Sequence, residues 1–174
     1  MKKFELTTES ITNEAGKKLF RIKALIDFGD VKAGEPGGYV EKEGNVSQDD
    51  NAWVSGDAEV FGNAKVSGNA KVFGNAKVYD NAWVSGYAWV SGDALVFGDA
   101  DYALVQGFGT EFRCTTFYRG KNKKIMVNCG CFHGDLEGFR KQVKETRNGK
   151  IAKEYLMIAD LMEYHFTSED SSDE

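Results

Sequence analysis

The chain has 174 residues, enough for one ordinary domain or a small domain with an appendage. Apolar residues make up 41% and aromatics 13%, enough for a packed core. A net charge of -5 argues against general nucleic-acid binding, whose affinity comes from phosphate neutralisation.

Met1-Lys2-Lys3 runs into Phe4-Glu5-Leu6-Thr7 rather than an apolar stretch, so no signal peptide is expected. No apolar run approaches the roughly 20 residues of a membrane span, and a cytoplasmic setting is expected. In residues 1–50, Phe4-Glu5-Leu6 and 19–25 read as strands around a turn at Glu14-Ala15-Gly16. Gly-rich turns follow at Phe28-Gly29-Asp30-Val31 and Gly37-Gly38-Tyr39-Val40. Val40 and Val46 are six apart, the spacing of the repeats that follow, so an irregular first coil is expected here. The segment is the candidate cap of the array, because an open solenoid end invites aggregation.

From residue 51 to 106 the chain keeps a beat of six. Ala stands at 52, 58, 64, 70, 76, 82, 88, 94 and 100, and Val two residues later from 54 to 96. Gly closes each unit at 56, 62, 68, 74, 86, 92 and 98, with Asp80 in the missing place. The unit is Asn/Asp-Ala-x-Val-x-Gly. A period of six does not fit a helix, where a Gly in every unit would cost roughly 1 kcal/mol each. Short strands fit, with Ala and Val inward and Gly or Asn at the corners, where they tolerate positive φ.

The array resembles the left-handed parallel β-helix of hexapeptide-repeat proteins, whose hexads carry an aliphatic residue first and a small one fifth. Val54-Ser55-Gly56-Asp57-Ala58-Glu59 reads that way. The resemblance, not the periodicity, implies left-handedness and three hexads per turn. Residues 18 apart then stack at about 4.8 Å, giving about three coils. One outward column is Phe61, Tyr79 and Phe97, and a second is Trp53, Lys71 and Trp89, with the lysine between two indoles. Others join Ser55, Phe73 and Ser91; Lys65, Trp83 and Asp101; and Glu59, Lys77 and Leu95. The first two are candidate oligomer or partner contacts, because stacked aromatics of roughly 150–250 Å² each exceed what a monomer usually leaves bare. A ladder that only stabilises itself is the alternative.

Residues 107–167 read as a small α+β unit. Arg113-Cys114-Thr115-Thr116-Phe117-Tyr118-Arg119 and 124–129 form a hairpin across 120–123. Asp135 caps a helix to about Thr146 with Leu136, Phe139 and Val143 on one face. A turn at Asn148-Gly149 leads to a second helix to about His165. The acidic stretch 168–174 is expected to be disordered. The chain as a whole is similar to hexapeptide-repeat proteins of bacteriophage and prophage genomes. That likeness rests on Asp27-Phe28-Gly29, on Gly37 to Glu43, on the array, on Thr115 to Arg119 and on Cys129-Gly130-Cys131-Phe132. It names no reaction.

Acyltransferases on this type of helix use a His as general base at a subunit boundary. Here His133 and His165 both lie outside the coils, and the three-His zinc site of the carbonic anhydrases is not present. Cys129, Cys131 and His133 alternate as if along one strand, with Cys114 nearby; free, buried thiols are the plainer reading than a metal site or a reactive thiol. Arg113, Arg119, Lys121, Lys123 and Lys124 around the hairpin, with Tyr118 for stacking, are either a solvated turn or the grip on an anionic partner. The expectation is a non-enzymatic, phage-type binding and assembly protein. It would need no cofactor or metal, form a homo-oligomer with a trimer favoured, and bind a host macromolecule or small ligand, with counteraction of host defence as one use. An acyltransferase-like enzyme and a virion-associated part are the alternatives.

Overall fold

The computed structural model describes residues 1–167; the acidic tail expected to be disordered lies outside them. The described residues fall into two compact units, Met1–Asp99 and a second beginning at Ala100. Among them no helix is long and apolar enough to cross a membrane.

The first unit is a β-solenoid of about three turns with an N-terminal hairpin. Strands β1 (Phe4–Thr12), β2 (Lys18–Ala24) and β3 (Pro36–Val40) precede eight two-residue strands. These are β4 (Trp53–Val54), β5 (Glu59–Val60), β6 (Lys65–Val66), β7 (Lys71–Val72), β8 (Lys77–Val78), β9 (Trp83–Val84), β10 (Trp89–Val90) and β11 (Leu95–Val96). They stack as parallel sheets on three sides: β3-β5-β8-β11, β4-β7-β10 and β6-β9. Within the array the offset is 18 residues, as in Val54↔Val72↔Val90. The first coil is longer: Val40 pairs with Val60 and Val46 with Val66. Backbone N–H groups donate to carbonyls one coil on, Trp53 to Ala70 at 3.0 Å and Phe73 to Val90 at 3.0 Å.

The inward Ala and Val residues from Ala52 to Val96 are completely buried. That is why the period survives: a larger residue than Ala or an unbranched one in place of Val would not fill so narrow an interior. The corners need positive φ. Asp80 adopts φ 56° where the neighbouring units use Gly. Asparagines join coils outside the corners, Asn51 Nδ2 donating to Asn69 Oδ1 at 2.8 Å and Asn63 to Asn81 at 3.3 Å.

The hairpin β1–β2 adds antiparallel to β3 and extends that sheet to six strands. Its side chains, with Phe28, pack on Trp53 and Phe61 of the array. Phe4 and Phe28 meet the Trp53 indole edge-on at 6.2 and 5.3 Å, and Leu19 and Tyr39 pack with Phe61. Lys3 is buried here as well. Its amine donates to the carbonyls of Asp50 and Ala52, each at 2.8 Å. Burial pushes that amine down to about 8 against the pull of Asp50 and Asp49.

The second unit is a four-stranded antiparallel sheet and two helices. Its strands are β12 (Tyr102–Val105), β13 (Thr115–Arg119), β14 (Ile125–Cys129) and β15 (Phe132–Asp135) in that order. Helix α1 (Leu136–Thr146) starts on Asp135, whose carboxylate accepts from Gly138 N at 2.9 Å. Helix α2 (Gly149–Thr167) packs on it, burying Tyr155, Ala159, Met162 and Phe166 against Phe117, Val127, Phe139 and Val143. Arg140 on α1 holds Asp160 and Glu163 on α2 at 2.8 and 2.7 Å. The sequence allowed for two strands or more but did not place β12 or β15. β12 lies within residues 51–106 and pairs with β13 rather than with a coil. β15 returns beside β14 after a turn at Gly130, φ 61°.

Candidate functional site

The Phe61 column is a stack of rings, unequally exposed along its length. Phe61 and Tyr79 are parallel at 5.2 Å, and Tyr79 meets Phe97 at 5.9 Å with a 37° tilt. Phe61 is buried by the hairpin, whereas Phe97 is 49% exposed. The second column behaves alike: Trp53 is buried and Trp89 is 45% exposed. Among the described residues Lys71 meets one indole, not the two expected. Its amine sits over the Trp89 ring at 5.6 Å and pairs with Asp30. Trp53 Nε1 is buried with no hydrogen-bond partner.

Three further side chains belong with these half-exposed rings. Trp83 and Tyr87 are 54% and 55% exposed, and Phe73 is edge-on to Trp89 at 6.1 Å. Trp83, Tyr87, Trp89 and Phe97 span fifteen residues, less than one 18-residue turn, and touch all three sheets or the corner between two of them. Trp83 was visible as a column member. Tyr87 was overlooked, although it stands where every other unit of the array carries Asn or Asp.

The basic hairpin residues are not one cluster. Lys121, Lys123 and Lys124 are exposed at the turn between β13 and β14, and Lys124 lies 3.7 Å from Asp135. Arg119 is drawn inward, paired with the buried Asp101 at 2.8 Å and set over the Phe166 ring at 5.6 Å. Tyr118 and Phe117 are fully buried, so neither ring has an open face for a ligand. Arg113 belongs to the opposite end of the hairpin, its guanidinium against Gly130.

The cysteine reading also changes. Cys129 ends β14, Cys131 sits in the turn and His133 lies on β15 beside Asn128, Nδ1 to Oδ1 2.5 Å. The alternation that suggested one strand is broken by the Gly130 turn, so the three do not share a face. All three cysteines are free, and among the described residues no group of three or more His, Cys, Asp or Glu is placed to hold a metal ion. Burial, then the neighbouring Cys129, raises the Cys114 thiol above its ordinary range.

Where Arg113 and Cys129 meet, the second unit has a cavity of about 80 Å³. Its apolar wall is Phe132, Phe139 and Val143, and its polar lining includes Glu111, Arg113, Cys129, Gln142, Arg147 and Tyr155. Thr115 Oγ1 donates to Cys129 Sγ at 3.1 Å, and the Tyr155 hydroxyl donates to the Phe108 carbonyl at 3.2 Å. Burial and Cys129 raise the Tyr155 phenol, while Arg147 and Arg113 pull it down. The sequence marks neither Arg147 nor Tyr155 as a site residue, Tyr155 reading only as part of the apolar stripe of α2, because the cavity is assembled from a loop, a strand end and two helices. No protein-family model and no curated protein matches the chain.

Proposed function

We propose that this chain is a binding and assembly protein, not an enzyme, built on a left-handed hexapeptide-repeat β-helix, and that its last coil is the contact surface. The single observation behind this reading is the concentration of half-exposed Trp83, Tyr87, Trp89 and Phe97 on that coil. Together they offer roughly 400 Å² of aromatic surface, at the scale that marks interaction sites. Both His residues belong to the second unit and none to the coils, which fits binding better than base-catalysed acyl transfer.

The arrangement suits a homotrimer. In a cyclic trimer each protomer uses two different surfaces, one toward each neighbour, and the ring closes. An aromatic coil open on several sides supplies both: the Phe97 end of one ladder against the Trp83-Tyr87-Trp89 corner of the next protomer. A phage setting and a host target remain part of the proposal through sequence resemblance alone. Acrylamide quenching tests the contact. Indoles half open in a lone protomer quench strongly, so weak quenching at micromolar protein is the expected result. Strong quenching of two of the three tryptophans would overturn the assembly reading.

A further inference from the structure

The second unit's cavity has chemistry that the aromatic coil does not share. Two guanidiniums, Arg113 and Arg147, line it. Ion pairs of this unit engage Arg119, Lys124, Arg140, Lys141 and Lys150, among others. Among the described residues none engages Arg113 or Arg147. Arg147 commits one Nη1 donor to the Thr146 carbonyl at 3.4 Å, and both guanidiniums keep further donors, in a planar fork, for an oxyanion. The wall opposite is apolar, with Phe139 and Val143 each 3% exposed.

We propose that this cavity binds a small organic oxyanion, a carboxylate or phosphate monoester, its charged group between Arg113 and Arg147 and its compact apolar body against Phe132 and Phe139. Size narrows the choice: the cavity, about 80 Å³ and partly open, suits a compact single-ring ligand better than a nucleotide. Charge narrows it further. Glu111 lines the same cavity, so the lining carries two cations and one anion and favours a ligand with a single anionic group over a polyphosphate. Thr115 and the carbonyl of Phe108 hold Cys129 and Tyr155 in place, so the site is formed before a ligand arrives.

Cys129 and Cys131 line the cavity and Cys114 does not, so thiol alkylation reports occupancy. The full chain is treated with iodoacetamide in the presence of benzoate, phenyl phosphate, inorganic phosphate or the neutral benzyl alcohol, and each thiol is followed by peptide mass mapping. Saturable protection of Cys129 by benzoate or phenyl phosphate, but not by benzyl alcohol, is expected; which anion protects better identifies the headgroup. The half-protecting concentration should rise about tenfold or more in Arg113→Gln and again in Arg147→Gln, since each removes a charge-assisted contact. Melting curves confirm that these exposed substitutions leave the fold intact. Absence of protection by any anion, equal protection by benzyl alcohol, or protection unchanged in both variants would overturn the proposal.

Discussion

Gly74 and Gly16 separate two reasons for a glycine. Both have positive φ, 73° and 72°. Gly16 has open space where a Cβ would stand, whereas at Gly74 that carbon would lie 2.9 Å from the backbone nitrogen of Gly92 on the next coil. Gly16→Ala should cost about 1 kcal/mol, the left-handed strain alone. Gly74→Ala should cost about 1–3 kcal/mol more, because the coil spacing has to open. Urea unfolding of the two variants measures the difference; equal costs would mean that the coils are not stacked this closely. Asp80 bears on the same point from the other side. It holds φ 56° in a glycine position, within the tolerance of a short polar side chain.

At the scale of the elements, two-residue strands have little stability of their own, so the array stands on its filled interior and its coil-to-coil ladder. Val72 is in the middle of three stacked valines and fully buried. Val72→Asp should abolish cooperative unfolding of the first unit, since an unpaired carboxylate there costs several kcal/mol. A thermal melt by circular dichroism that matches the wild type would show the register to be wrong. This register was legible in the sequence because every unit repeats the same demand, small and branched inside, permissive at the corner. The cap was legible as strands but not in its effect. Nothing local in Trp53 or Phe61 says that Phe4, Phe28 and Leu19 cover them, because those contacts span many residues of chain. The β12 and β15 strands were missed for a related reason: short edge strands are chosen by their neighbours rather than by their own composition. Both helices were legible through the Asp135 cap and apolar spacing.

For the molecule as a whole, the two candidate sites differ in how far sequence reaches. The aromatic coil was half visible, since the columns follow from the period, while the burial of their first members does not. The cavity was hardly visible. Arg113 and Cys129 drew attention for other reasons, and Arg147 stands at a helix end that reads as ordinary solvated charge. The central claim concerns the coil. Phe97 is half exposed, so Phe97→Glu should leave the protomer folded while placing a charge inside the proposed interface. Multi-angle light scattering at micromolar protein tests this most directly: the account predicts three times the 19.3 kDa chain mass for the wild type and a single chain mass for Phe97→Glu, and a wild-type mass of 19.3 kDa would contradict it.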